Sequence, residues 1–223
     1  MNTSDTNSKE PSIIFTGCNV TDAAQGQPQA GGQRRQVIIK GKRVKTIDVH
    51  AHCLVPEALA MIGEKIENHQ FPDLDEVGPV RMRAMDIQGV DIEALSINPF
   101  WYRREKDLAV EICRIHNEKL AEMCATYPDR LVAFASVTLQ HPEIAAQQLE
   151  HAVKKLGLRG AAVGASCGDD EFSDPKFHPF WAKAEELGVL IFIHPQSTPE
   201  LKRRFKGNGW LANPIGNPLD TTI

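Results

Sequence analysis

From residue 44 onward, short apolar runs alternate with longer stretches in which apolar and polar residues mix at helical spacing. Short runs of branched or small apolar residues, bounded by turn residues, are typical of buried β-strands. We predict five such strands: VKTIDVHAH (44–52), VDIEALSIN (90–98), LVAFASVTL (131–139), LRGAAVGAS (158–166) and GVLIFIHPQ (188–196).

The longer stretches between these runs predict helices. The third begins with Pro142 and Glu143 and ends with two lysines before Gly157, an arrangement that suits the helix dipole and a glycine C-cap. Strict alternation of strands and helices predicts parallel strands joined by right-handed crossovers. The predicted helices cover residues 80–89, 106–128, 142–157 and 174–188.

Two α/β architectures fit this alternation: an open doubly wound sheet and a (β/α)8 barrel of the TIM type. A doubly wound sheet that binds a nucleotide usually has a glycine-rich turn after its first strand, whereas this chain has HAHCLVPE there. In a barrel, functional side chains gather at the carboxyl ends of the strands. His50, His52, Asn98 and His194 all fall at such ends, and we therefore predict a barrel.

The residues before the first predicted strand form a different kind of segment. Residues 1–43 are polar and include the low-complexity run AAQGQPQAGGQ, so we predict a partly disordered N-terminal extension. The runs SIIFTGCNV (12–20) and QVIIKGKRV (36–44) are candidates to pair with each other as a small hairpin against the barrel part. The barrel part is predicted to run from residue 44 to residue 223.

Composition and charge are those of an ordinary globular protein. The chain has 42% hydrophobic residues and a net charge of -4, with 25 basic against 29 acidic residues, so we expect no nucleic-acid partner. We also expect no membrane partner, because no apolar run approaches the roughly 20 residues that span a bilayer. The 5 cysteines form no CxxC pair, which favours reduced thiols and a cytoplasmic location.

The sequence IDVHAH carries the strongest chemical signal. Residues two apart on a strand share a face, so His50 and His52 would project together, and His194 ends another strand. Three neutral imidazoles suit Zn²⁺ or another borderline divalent ion, although a single histidine at a strand end is more often structural. Asp48 shares the face of His50 and is a candidate to orient the ligands, with a purely structural hydrogen bond as an equal alternative, whereas Cys53 would face away and pack.

The remaining histidines carry no such signal. They lie on predicted helices or connections, where we expect solvent-facing or capping roles. They are His69, His116, His141, His151 and His178.

An ordered series of motifs resembles the amidohydrolase superfamily, in the branch that contains aminocarboxymuconate semialdehyde decarboxylase and related aromatic acid decarboxylases. The resemblance implies a (β/α)8 barrel, with His50, His52 and His194 as ligands of a divalent metal. It also implies decarboxylation of a small unsaturated or aromatic carboxylic acid, and a possible homodimer. The motifs are IDVHAH, RMRAMDIQGVDIEALSINPFWY, AVKKLGLRGAAVGA, FWAKAEELGVLIFIHPQ and GWLANPIGNPLDTTI.

The chain departs from this family pattern at its C-terminal end. Family members continue further, with a histidine on strand six that acts on substrate or water and an aspartate on strand eight that completes the metal site. Neither has a counterpart here, so we expect a truncated chain with about the first five β/α units and no assignable catalytic acid or base. A metal-dependent hydrolase, or an inactive short form, is the alternative.

Substrate contacts are expected in the loop after the second strand. Asn98, Trp101, Tyr102 and Arg103 lie there, and Arg103 could pair with a carboxylate. An equally weighted alternative is that PFWYRRE is a packed aromatic loop with solvated charges. Trp210, and more weakly Asn213, are further candidates in a segment that resembles the substrate-side loop of the family.

Overall fold

In a computed structural model, the described residues are 34–65, 75–196, 203–206, 208, 211 and 214–222. The strands in this part of the chain are β1 Val37–Ile39, β2 Lys42–Val44, β3 Ile47–His52, β4 Ile92–Ser96, β5 Leu131–Ala133, β6 Gly160–Gly164 and β7 Leu190–His194. The helices are α1 Pro56–Ala60, α2 Pro79–Gln88, α3 Lys106–Thr126, α4 Pro142–Lys154, α5 His178–Leu187 and α6 Gly216–Asp220, and a 3-10 turn covers Pro175–Phe177.

Five parallel strands lie side by side in chain order. Strand β4 pairs with β3 on one side and β5 on the other, and β6 pairs with β7. A parallel bridge between Ala135 and Ala161 joins the two groups, with the Ala135 N–H donating to the carbonyl of Gly160 at 2.8 Å. A doubly wound sheet reverses its strand order at a switch point. The unbroken order is that of a barrel wall, and the predicted fold of five β/α units is confirmed.

The helices cover the outer face of this wall. Leu95 on β4, Ile112 on α3 and Leu149 on α4 are among the fully buried side chains of the main core, which lies between the strands and the helices. A second, smaller core occupies the inner face, where Phe134 and Phe192 stack with ring centroids 5.8 Å apart. The wall therefore buries apolar side chains on both faces of its central strands, whereas Val49 on β3 and Ile193 on β7 are exposed.

Several helices begin or end at the prolines and glycines that the sequence pattern indicates. Gly89 and Gly188 end α2 and α5 in the left-handed conformation, with φ of 79° and 61°, and Pro142 opens α4. The helix predicted from Asp174 differs, because a 3-10 turn precedes α5. The Asp174 carboxylate accepts the Lys176 N–H at 2.9 Å and caps that turn instead.

Gly160 sets the close approach of two strands. Its φ is 147°, and a Cβ added there would lie 1.8 Å from the carbonyl oxygen of Leu190 on β7. A side chain at this position would push β7 away from β6. Glycine is therefore required for the strand that ends in His194 to pair in register.

The hairpin β1–β2 forms within the segment QVIIKGKRV itself. Its turn is Lys40–Gly41, where both residues have positive φ, 48° and 74°, as a two-residue hairpin turn of type I′ requires. The predicted boundary at residue 44 therefore falls inside β2. The other candidate hairpin segment, 12–20, and all of residues 1–33 lie outside the described residues.

Asp91 holds this hairpin against the barrel wall. Its carboxylate accepts hydrogen bonds from Arg34 at 2.6 Å, from Arg43 at 2.5 Å and from the Thr46 N–H at 2.8 Å. The bond from Thr46 is the main cause that lowers the pKa of Asp91, and the two arginines add to it. This anchor lies before the start of β4, at the end of the wall opposite the strand ends that carry the histidines.

Nothing in the described part of the chain resembles a membrane-spanning helix, by the joint measure of length and apolar character.

His116 is buried, and the expectation that it faces solvent or caps a helix was wrong. It lies on the same face of α3 as Ile112 and Leu120, which turns it into the core, and it is 1% exposed. Its Nδ1 lies 3.1 Å from the hydroxyl of Ser136, and its ring packs edge-on against Trp101. Burial lowers the pKa of His116 from 6.5 to about 3.

This shift predicts a pH-dependent stability. Between pH 6.5 and pH 3 the unfolded chain binds a proton at residue 116 that the folded chain does not, so the free energy of unfolding falls as the pH is lowered. Between pH 7.5 and 5.5 the wild-type protein should lose about 1.4 kcal/mol more than His116→Gln, because one proton is involved. Urea denaturation at the two pH values measures the difference.

The exposed His151 on α4 provides the control, since His151→Gln should keep the wild-type pH dependence. A His116→Gln protein with that same dependence would contradict the assignment.

Candidate metal centre

Three histidines meet at the carboxyl ends of two strands. His50 and His52 lie on β3, and His194 is the last residue of β7. The ring centroid of His52 lies 4.7 Å from that of His50 and 4.6 Å from that of His194, and one nitrogen of each ring lies within 4.8 Å of the others. The structure therefore brings the three predicted ligands together.

Strand β3 does not alternate regularly. It pairs Asp48 with Glu93 and then Ala51 with Leu95, so β3 carries one residue more than β4 over this stretch. Such irregularities re-aim side chains and are frequent beside active sites. His50 and His52 still converge, with their Nε2 atoms 2.9 Å apart, although simple alternation is not the reason.

Burial and the neighbouring histidines favour the neutral form of His52 and of His194. Burial, and then the neighbouring His194, lower the pKa of His52 from 6.5 to about 3. Burial, and then His50, also lower the pKa of His194. Neutral imidazoles are the form that binds a metal ion, since the lone pair must be free. Three such nitrogens close together are suitable donors for Zn²⁺, Mn²⁺ or a similar divalent ion.

Ser96 orients the central histidine. Its hydroxyl lies 3.1 Å from Nδ1 of His52 and it is buried at the end of β4, which leaves Nε2 of His52 directed at the other two rings. A partner on the second ring nitrogen fixes the orientation of a ligating histidine. Sequence analysis missed Ser96, although a lone hydroxyl in the apolar run IEALSI was a usable signal.

Asp48, the residue predicted to orient the ligands, acts on the backbone instead. Its carboxylate accepts the N–H of His50 at 2.9 Å. This bond lies within the irregular part of β3 and helps to hold His50 in place. Cys53 is buried in the core as expected, and burial raises the pKa of its thiol to about 12.

The predicted substrate contacts in the loop after β4 differ in their exposure to solvent. Asn98 is exposed beyond the strand end, whereas Trp101 is 0% exposed and donates from Nε1 to the carbonyl of Val137 at 2.9 Å. Arg103 is exposed and pairs with Asp169 at 3.0 Å. The packing interpretation of PFWYRRE describes this geometry, and a direct substrate contact by Trp101 stays a prediction. Trp210 and Asn213 lie outside the described residues.

Gln196 connects two loops at the same rim. Its side-chain amide donates to the carbonyl of Pro99 at 2.8 Å, and its backbone N–H donates to Asp220 at 2.6 Å. A Cβ on Gly164 would lie 2.8 Å from the Gln196 side chain, so only glycine admits this contact without a shift. The segment that follows His194 is thereby tied to the loop after β4.

A wall of parallel β/α units with a three-histidine cluster at its carboxyl ends defines a barrel protein with the ligand set of a metal site. Comparison with known families agrees. The amidohydrolase family model matches residues 47–216, and this chain belongs to that family.

Similar proteins are decarboxylases. The gamma-resorcylate decarboxylase of Rhizobium radiobacter is 32% identical over 181 residues, which are 75% of this chain and 55% of that protein. The 2-amino-3-carboxymuconate-6-semialdehyde decarboxylase of Dictyostelium discoideum is 27% identical over 183 residues, 80% of this chain and 48% of that protein. This chain thus spans about half the length of the curated relatives it matches.

A solved structure of dihydroxybenzoic acid decarboxylase from Polaromonas sp. JS666, with bound manganese and the inhibitor 2-nitroresorcinol, superposes with a TM-score of 0.66. It is 29% identical, and the match covers 79% of this chain and 57% of that one. The resemblance to decarboxylases of the amidohydrolase superfamily is confirmed.

The role of Ser96 predicts a specific loss. Ser96→Ala frees the ring of His52 to rotate, so Zn²⁺ should bind roughly tenfold more weakly, the lower end of the range for orienting partners of ligands. Competition with a colorimetric chelator measures the affinity. Ser136→Ala is a matched control, because it removes the other buried serine hydroxyl that lies 3.1 Å from a histidine Nδ1. Equal Zn²⁺ affinities in the two variants would contradict the role of Ser96.

Proposed function

We propose that this chain is the N-terminal part of a metal-dependent decarboxylase that acts on a small aromatic or unsaturated carboxylic acid. The observation that carries the proposal is the cluster of His50, His52 and His194, whose nitrogens lie within 4.8 Å of one another in a chain of this family. The relatives support the reaction type, because they decarboxylate acids of this kind.

We propose Zn²⁺ as the resident ion, with Mn²⁺ as the competing possibility because the related structure from Polaromonas holds manganese. Three imidazole ligands suit Zn²⁺ well. A divalent ion held there supplies Lewis-acid polarisation of a substrate oxygen. The chain itself supplies three imidazoles in fixed positions, with Ser96 on the ring of His52 and Asp48 on the backbone of His50.

Substrate binding is proposed to involve the rim of the barrel. Arg103 is the candidate partner for the substrate carboxylate, since a guanidinium matches that group in charge and shape. Its present partner Asp169 is exposed, so exchanging one carboxylate for another costs little. Asn98 offers an amide near the mouth, and Trp101 and Trp210 stay predicted contacts. We assign no proton donor among the described residues. The homodimer and the cytoplasmic location also stay predictions.

Metal content tests the ligand set. Purified wild-type protein should hold about one divalent ion per chain after gel filtration, as expected for a mononuclear site with these ligands. His50→Ala and His194→Ala should each hold much less, because two nitrogens bind an ion far more weakly than three. Elemental analysis gives both the amount and the identity of the metal. His151→Ala, an exposed residue on α4, should keep the wild-type content, and equal content in all three variants would rule out the site.

The product identifies the bond that is broken. The longer protein of which this chain is proposed to be the N-terminal part, loaded with Zn²⁺ or Mn²⁺, should release carbon dioxide from one or more members of a panel of hydroxybenzoic acids, and the same protein with His52→Ala should not. Headspace analysis measures the carbon dioxide. A hydrolase of the same superfamily would instead incorporate oxygen from labelled water into a cleavage product of an amide or lactone. If that longer protein releases no carbon dioxide from any of the acids, the proposed reaction is contradicted.

A further inference from the structure

A buried ion pair lies behind the histidine cluster. Arg81 on α2 and Glu93 on β4 are only 7% and 9% exposed, and Nε of Arg81 lies 2.6 Å from Oε2 of Glu93. Removing two charges from water is costly, and a buried ion pair often adds no stability compared with apolar residues of similar volume. The location of this pair therefore calls for an explanation other than stability.

A second contact of Arg81 explains the location of the pair. Its Nη1 donates to the carbonyl oxygen of His52 at 2.7 Å. The other polar atom of the same peptide group is also held, because the N–H of Cys53 donates to the carbonyl of Ser96 at 3.1 Å. The peptide group that follows His52 is thus fixed at both its donor and its acceptor.

This peptide group lies at the end of β3, just after the irregular part of the strand. The strand has already departed from regular pairing between Asp48 and Ala51, and His52 is its last residue. Pairing resumes only at Ala51 and His52, opposite Leu95 and Ser96, so a short stretch of regular ladder holds the backbone of His52. Strand β4 contributes three groups that hold His52 in place. The Ser96 hydroxyl contacts the ring, the Ser96 carbonyl accepts the next N–H, and Glu93 holds Arg81.

We propose that Arg81 and Glu93 are a positioning pair for the metal centre, which fixes the backbone of His52 so that its ring reaches the ion together with His50 and His194. The inference rests on the proposed metal site. Glu93 takes the Nε side of the guanidinium and leaves Nη1 directed at the carbonyl of His52. Lysine cannot reproduce this, because a single ammonium has no rigid fork that serves two acceptors in fixed directions.

The test separates positioning from stability. The double variant Arg81→Met with Glu93→Leu removes both charges at similar volume, so it should fold with a melting temperature close to that of the wild type. Its Zn²⁺ dissociation constant should nevertheless rise roughly tenfold, as it does when other groups that hydrogen-bond to metal ligands are removed. In the same protein without metal, the Cys53 amide should exchange its hydrogen faster, while amides in the middle of α3 should exchange as in the wild type.

Arg130→Met is the matched control. Arg130 also donates to a backbone carbonyl, that of Asp91 at 2.9 Å, and also pairs with a carboxylate, that of Asp86, but it does so before the start of β4. The change should lower the melting temperature and leave the Zn²⁺ affinity unchanged. Arg81→Lys is a second probe that retains a positive charge beside Glu93, and it too should bind Zn²⁺ more weakly.

The outcomes distinguish the two proposals. Wild-type Zn²⁺ affinity in the double variant or in Arg81→Lys would overturn the positioning role, as would unchanged exchange at Cys53. If the wild-type protein itself binds no Zn²⁺ or Mn²⁺, the proposed function fails. In that case faster exchange at Cys53 in the double variant would still show that the pair fixes the peptide group after His52.

Discussion

The curvature of the parallel wall is the constraint on which the rest of the structure depends. Strands β3 and β7 are the two ends of a five-strand series, and in a flat sheet four spacings of about 4.8 Å would hold them about 19 Å apart. The ring of His194 nevertheless lies 4.6 Å from that of His52. On the inner face, the stacked rings of Phe134 and Phe192 pack beside Ala94 and Ala162. The site is therefore a consequence of the fold and not of a local motif alone.

Around the cluster, the chain separates neutral groups from charged ones. The inner face supplies imidazoles and a serine hydroxyl, in a setting that depresses the pKa of His52 and keeps a lone pair available. The charged pair Arg81 and Glu93 contacts the same histidine at its backbone carbonyl, and the charge of Arg81 is a minor cause of the lowered pKa of His52. A cation beside the ligating nitrogens would compete electrostatically with a metal ion, whereas one behind the backbone does not contact them.

Much of this could be predicted from the sequence, because the signals were periodic or local. The β/α alternation, the glycine helix ends and the three histidines required only residue spacing and the rules for parallel sheets. The extra residue in β3, the bond from Ser96 to His52 and the burial of Trp101 could not be derived in this way, since each depends on which residue of a neighbouring element lies opposite. His116 is an intermediate case, because its spacing from Ile112 and Leu120 already placed it on the buried face of α3.

The central claim is that His50, His52 and His194 bind one ion together, and X-ray absorption spectroscopy of the Zn²⁺-loaded protein tests it most directly. The fine structure should show three nitrogen scatterers at about 2.0–2.1 Å, with the outer-shell pattern that imidazole rings produce. His194→Ala should reduce the imidazole contribution from three rings to two. A first shell of oxygen alone, or a spectrum unchanged by the loss of His194, would contradict the account.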